Sequence, residues 1–349
     1  MAAFAATRCR LFMPRAPTTS FLGHSCLRKT RWTCAAGWRA CNMTARYDVL
    51  GLGCVAIDDL LYVDAYPSAD TKVQVRRRER QCGGLTGTAL VAAARLGAAC
   101  AYAGTLGDDE LTEYVLQHFQ DEGVDVQHVY RQPGARPIHS TVIVDESQKT
   151  RTILYDLENV CGVQPEWPHA EVIRAARVLF IDHFGMEGMI RAARMARQAG
   201  IPVVADLESD QRQEFAELLS LIDHLIVSDE FACKLTARRE PAEAALALWT
   251  RERTLVAITC GARGCRYLHK GGPATPRHQP AFPVQAVDTT GCGDVFHGAY
   301  AAALARGLEA PASMRFASAA AALKATRPGG QAGIPTRAAV EAFLKEHSQ

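Results

Sequence analysis

The chain of 349 residues has no apolar run of the 18 or so residues that a membrane-spanning helix needs. Its most apolar stretch, residues 90–104, is interrupted by Arg95, so a membrane protein is not expected. None of its 12 cysteines form a Cys-x-x-Cys pair. Zinc ligation and a disulfide framework therefore lack their spacing, and the thiols read as small buried residues of a reducing compartment. No internal repeat, no low-complexity linker and no Gly-x-x-x-x-Gly-Lys-Ser/Thr loop is present. With 48% hydrophobic and 22% charged residues, the chain has the composition of an ordinary globular protein. It is long enough for one large α/β domain or two smaller ones.

Acidic residues are missing from one region. The first 47 residues contain 8 Lys and Arg and no Asp or Glu. The other 31 basic residues face 37 acidic ones, a formal balance of −6. A body of that sign is not a polyanion-binding surface, and nucleic acid is set aside as a partner. Arg8, Arg10 and Arg15 break the apolar stretch a secretory signal would need, and the mixture of Arg, hydroxyls and small residues resembles an organelle transit peptide. Residues 1–46 are expected to be a basic, disordered leader, directing the protein to plastid or mitochondrion. A plain basic tail, or a true start at Met43, would instead leave it cytoplasmic.

From Tyr47 onward short apolar runs alternate with Ala-rich segments. The candidate buried strands are Tyr47–Leu50, Val178–Ile181, Val203–Ala205, His224–Val227 and Leu255–Thr259. Arg191–Ala199, Gln213–Ser220 and Ala242–Arg251 supply helices between them. Repeated βαβ units predict a three-layer, doubly wound α/β fold with a mostly parallel sheet. Residues 60–75 and 138–155 alternate apolar and polar side chains with no helix between them. They predict a small antiparallel β lid, from about 58–79 and 136–156, with a hairpin about the polar turn at 145–149.

The strongest local signal is Asp288-Thr289-Thr290-Gly291-Cys292-Gly293-Asp294, followed by an Ala-rich run to Gly307. It reads as strand, glycine-rich turn and helix. Gly291, Cys292 and Gly293 would open an anion hole, because free N–H groups at a helix start attract phosphate. Asp294 could simply cap the helix, but a carboxylate inside an anion cradle is well placed to act as a base. A sugar hydroxyl is a poor nucleophile and needs such an acceptor for its proton during phosphoryl transfer. Cys292, at the same helix start, is expected to have an acidified thiol.

The segment Asp288–Gly298 resembles the second signature of the ribokinase-like (pfkB) carbohydrate kinases, and the likeness extends over residues 47–345. Asp58 with Tyr66-Pro67 is similar to the family's sugar-binding strand and lid. Gly83-Gly84 is similar to its sugar-side glycine pair, and Thr259-Cys260-Gly261-Ala262-Arg263-Gly264 to its ATP-side loop. Residues 63–67, 151–155 and 227–229 resemble the ketohexokinase branch. The resemblance implies a kinase domain over 47–349 that binds ATP and Mg²⁺ (held mainly through phosphates and water) and admits a monovalent cation. It also implies a small sugar or polyol as acceptor and leaves a homodimer through the lid open. By the same likeness Asp294 is the catalytic base, and Asp58, Gly83, Gly84 and Thr88 bind substrate. Arg151, Thr259, Gly261 and Gly264 bind the nucleotide. Asp59 would face water, since neighbours on a strand point to opposite sides.

The sequence departs from the family at several positions. Leu85 and Thr88 stand where sugar-gripping Asn residues are expected, and Thr lacks the amide's paired donor and acceptor. In the Asn-x-x-Glu motif, Ser228 and Phe231 replace the usual residues, leaving Glu230 or water to serve the metal. Gly51-Leu52-Gly53 outlines a dinucleotide fingerprint, but the residues after it alternate like a strand instead of opening a helix. A nucleoside kinase of the same fold and a catalytically silent homologue remain the rival readings.

Overall fold

The computed structural model describes residues 45–148 and 150–347, so the expected leader lies outside the described residues but for its last two. Five parallel strands carry near-continuous apolar runs, as strands covered on both faces must. They are β1 (Tyr47–Leu52), β10 (Ala176–Ile181), β11 (Val203–Asp206), β12 (His224–Ser228) and β13 (Leu255–Thr259). Two short parallel strands, β4 (Cys100–Tyr102) and β6 (Val124–Asp125), extend the sheet beyond β1. At the other end β14 (Cys265–His269) and β15 (Arg277–Gln279) add antiparallel edges. The order is β15-β14-β13-β12-β11-β10-β1-β4-β6. Alternation along β10 supplies both cores: Val178 and Phe180 enter one, Leu179 and Ile181 the other.

The first core is covered by α1 (Leu85–Arg95), α2 (Glu110–Asp121), α8 (Cys292–Ala305), α9 (Ala310–Ala325) and α10 (Arg337–Glu346). The second is covered by α3 (Ala170–Arg174), α4 (Met186–Gln198), α5 (Phe215–Ser220), α6 (Asp229–Thr236) and α7 (Pro241–Leu248). The expected helix at 242–251 is shorter because the backbone is extended at Trp249, with ψ 131°.

The lid is a four-stranded sheet in the order β3-β2-β8-β9. It comprises β2 (Ala56–Val63), β3 (Arg77–Gly83), β8 (Ile138–Asp145) and β9 (Thr150–Asp156). The β8–β9 hairpin forms as expected, pairing Asp145 with Thr150. The β2–β3 pairing is also antiparallel, whereas β2 and β8 join in parallel. Residues 64–76, read from alternation as part of the strands, form a loop instead. A separate parallel pair, β5 (Thr105–Leu106) with β7 (Tyr130–Arg131), lies apart from both sheets.

The chain winds outward in both directions from the β1/β10 junction. That makes it the topological switch point, where a crevice opens beyond the carboxyl ends of the strands. The lid strand β2 leaves β1 at this point, and α1 and α8 pack against each other there.

Candidate active site

Asp288 builds the turn before α8. Its Oδ1 accepts hydrogen bonds from the Thr290 amide at 2.9 Å and the Thr290 hydroxyl at 2.7 Å, and its Oδ2 accepts one from the Gly329 amide at 2.9 Å. Burial raises the affinity of this carboxyl for a proton, but the hydrogen bonds and Lys324 outweigh it, and its pKa is lowered. Gly291 then caps the helix in the left-handed region, φ 73°, a conformation with little steric cost only for glycine. Among the described residues the amides of Gly291, Gly293 and Asp294 have no acceptor. A Cβ added at Gly293 would meet nothing within 4 Å, so the cradle is open to a ligand at that residue.

Cys292 does not join them. Its amide donates to the Thr289 carbonyl at 3.2 Å, and its thiol turns to the Ala321 carbonyl of α9 at 3.6 Å. Burial raises the thiol pKa, with Asp288 and Asp294 adding to the effect against Lys324, so the expected acidification is absent. An amide at a helix start is free to bind an anion only if the preceding turn has not used it, which composition alone does not reveal.

Asp294 occupies the first turn of α8, partly exposed. Its pKa is raised well above the usual range, first by desolvation and then by the charge of Asp206. Asp206 ends β11, is 5% exposed, and is raised in turn by its own burial. His297 lies one turn along α8 from Asp294. Its Nδ1 is 3.2 Å from Asp206 Oδ2. Lys324 of α9 is fully buried, and its Nζ donates to the Asp288 carbonyl at 2.9 Å. Asp182, at the end of β10, accepts from the Cys54 amide (2.7 Å), the Thr86 hydroxyl (2.9 Å) and the Phe184 amide (2.8 Å), tying β1, α1 and β10 together. The sequence reading passed over Asp206 and Asp182, although an acid directly after each apolar run at 178–181 and 203–205 was a signal that could have found them. Lys324 and His297 gave no such signal, because nothing local distinguishes them inside Ala-rich helices.

The lid brings its own residues to the same place. Asp58 is half-buried and its pKa is raised by burial, against a hydrogen bond from Ser140 and the charges of His139 and Arg151. A Cβ on Gly83 would lie 2.8 Å from Asp58 Oδ2, so the glycine makes room for the carboxylate. Gly84 caps α1 at φ 86°, with Val55 Cα only 2.6 Å from where a Cβ would stand. Asp59 points the other way, as alternation requires. It does not simply face water, however: Arg80 Nε (2.7 Å) and Nη2 (3.0 Å) hold it, with His139 Nε2 at 2.8 Å. Arg151 reaches from β9 to within 3.7 Å of Asp288 Oδ1, at the edge of the cradle.

Thr88 departs from its expected substrate role. It is 2% exposed, accepts from Gln331 Nε2 at 3.2 Å, and packs beneath Gly291. Leu85 is partly exposed at the start of α1, and Phe231 is buried against Phe215, with Glu230 exposed. The loop Thr259–Gly264 closes on itself through the Cys260 amide, which donates to the Gly264 carbonyl at 2.7 Å. Thr259 donates to the Val227 carbonyl at 3.3 Å, Gly261 borders open space at φ 54°, and Gly264 passes close to Gln279 at φ 81°. The loop follows β13, two strands from β11, or roughly 10 Å along the sheet edge from the Asp206 end of the cradle. A cavity of about 510 Å³ lies on the α7 side of this loop, lined by Pro241, Arg263, Arg266 and His278, and none of its lining residues belongs to the cradle. Among the described residues no group of three or more His, Cys, Asp or Glu is placed to hold a metal ion.

An amide-lined helix start, a carboxylate beside it and a lid over the switch point of a doubly wound sheet define a phosphotransferase. Residues 52–337 match the pfkB family of carbohydrate kinases. The chain is 29% identical over 309 residues to the ribokinase of Haemophilus influenzae, covering 85% of this chain and 98% of that protein. It is 26% identical over 287 residues to the ketohexokinase of Mus musculus, covering 77% and 92%. A crystal structure of a putative ribokinase from Agrobacterium tumefaciens superposes with a TM-score of 0.80 at 28% identity, covering 87% of this chain and 99% of that one. The chain belongs to the pfkB carbohydrate kinase family, and it is an ATP-dependent phosphotransferase acting on a sugar hydroxyl.

Proposed function

We propose that Asp294 is the catalytic base of this sugar kinase. The observation that carries the reading is its position: a carboxylate of raised proton affinity directly follows the free amides of Gly291 and Gly293. A small sugar or polyol lies against Asp58 and the Gly83-Gly84 turn, with one hydroxyl towards Asp294. Asp294 takes the hydroxyl proton as the oxygen attacks the γ-phosphorus of ATP in line, the bond to the β-phosphate oxygen breaks, and ADP leaves. The amides of Gly291, Gly293 and Asp294 stabilise the charge on the transferred group. The Thr259–Gly264 loop positions the nucleotide, and Arg151 closes over it from the lid.

The free amides and open space fit phosphate oxygens, and Mg²⁺ would ride on those phosphates and on water, neutralising their charge. The Asp288 carbonyl already receives the Lys324 ammonium, which supports a cradle ordered without an added monovalent cation. Ile153, Leu154 and Tyr155 are exposed on β9, which supports pairing of two lids in a homodimer. Residues 1–46 are proposed as an organelle leader, tested by import of a tagged fusion.

The decisive measurement is ADP release by the chain from Tyr47 onward with ATP, Mg²⁺ and a panel of ketoses, aldoses, sugar acids and nucleosides. Turnover confined to a sugar or polyol is expected. Turnover confined to nucleosides, or none at all, would overturn the reading in favour of a nucleoside kinase or a silent homologue.

A further inference from the structure

His297 is 4% exposed, in the second turn of α8, and three oxygens lie within reach of its ring nitrogens. Nδ1 lies 2.8 Å from the Gly293 carbonyl and 3.2 Å from Asp206 Oδ2. Nε2 lies 2.9 Å from the Ile226 carbonyl at the end of β12. A neutral imidazole has one N–H and one lone pair, and a carbonyl oxygen only accepts. With a carbonyl on each side, either neutral tautomer would press a lone pair against an oxygen inside the core. Only the doubly protonated ring satisfies both, and Asp206 supplies its counter-charge.

We propose that His297 is a positioning residue: a buried imidazolium that neutralises Asp206 and thereby keeps Asp294 ionised, resting on the reading of Asp294 as the base. Asp294 would otherwise face a like-charged field. Asp206 and Glu208 oppose its ionisation from the end of β11 and the segment after it, and Asp182 lies at the end of β10 with His183 beside it. Cys54 and Cys292 are the neighbouring thiols. Against these stand Lys324 on α9 and His297 itself. The imidazolium lies 3.2 Å from Asp206, and it also donates to the carbonyl of Gly293, a residue whose amide belongs to the anion hole. Through one ring it couples the electrostatics of the base to the geometry of the cradle.

The test combines spectroscopy with two variants. In the full chain labelled with ¹⁵N-histidine, a long-range ¹H–¹⁵N correlation spectrum is recorded across neutral pH, with His297 assigned by its loss in His297→Asn. Both of its nitrogens are expected at protonated shifts, and the pattern of a neutral tautomer would overturn the proposal. In the pH profile of kcat, His297→Asn is expected to move the acid limb up by about one pH unit, and Asp206→Asn to move it down. The double variant should fall near wild type, because the two charges act on one group. Limbs that stay in place, or that move the same way, would make the ring structural only. Should His297→Asn fail to fold, His297→Gln supplies the assignment, and Asp206→Asn and the wild-type titration still decide. Wild-type turnover in Asp294→Asn would instead sink the base assignment alone, leaving the imidazolium standing on the spectrum.

Discussion

Asp294 carries two effects of opposite sign. Its raised proton affinity means that kcat should fall at a higher pH than an ordinary aspartate would cause, because the protonated carboxyl cannot accept the sugar proton. For stability the sign reverses. The folded state binds the proton more readily than the unfolded chain, so the stabilising contribution belongs to acid pH and is lost as pH rises from the ordinary value of 3.8 through the raised one. Asp294→Asn should therefore lower kcat by about a thousandfold. Nucleotide affinity by calorimetry should be nearly unchanged, and Tm at neutral pH should rise by about 2 °C. Lost folding in that variant would restore the helix-cap explanation. The partly buried thiol of Cys292 should react slowly with alkylating reagents, because its pKa is raised, and Cys292→Ala should leave the enzyme's inactivation rate as it was.

At the scale of elements, the site depends on how closely two helices approach. A Cβ at Gly298 of α8 would overlap the Ala89 carbonyl of α1. Gly298→Ala should therefore force the helices apart and cost about 2 kcal/mol, read as a lower urea midpoint at unchanged slope. Because both helix starts border the crevice, activity should fall further than stability. Besides Asp58, the lid contributes one exposed arm. Arg151→Ala should raise KM for ATP roughly tenfold, equivalent to about 1.4 kcal/mol, with a smaller change in kcat and no change in Tm. An equal loss in kcat would place Arg151 in the transition state instead.

For the molecule as a whole, the carboxyl edge of the sheet is the organising feature. β10 and β11 deliver Asp182 and Asp206 to it, α1 and α8 begin there, and the lid leaves from β1. The described residues form no metal-holding cluster, and under the proposed function a divalent ion enters with its nucleotide. Chelation should abolish turnover and leave the melting temperature unchanged, and Mg²⁺ should restore activity. A drop in Tm on chelation would show a protein-held ion.

The apolar strand runs, the alternating lid hairpin and the Gly-x-Gly-Asp turn were all legible in the sequence, because each is set by neighbours within a few residues. Asp58 against Asp59 was legible too, since a strand turns adjacent side chains to opposite faces. The parallel β2–β8 pairing was not, nor the edge strands β14 and β15, since those depend on segments distant in the chain. The tertiary structure alone decided which amides stay free, that Thr88 and Cys292 turn inward, and that His297 and Lys324 support the cradle. Hydrogen-bond partners and burial are properties of the packed chain, and they determine whether a residue of the right type can meet a ligand.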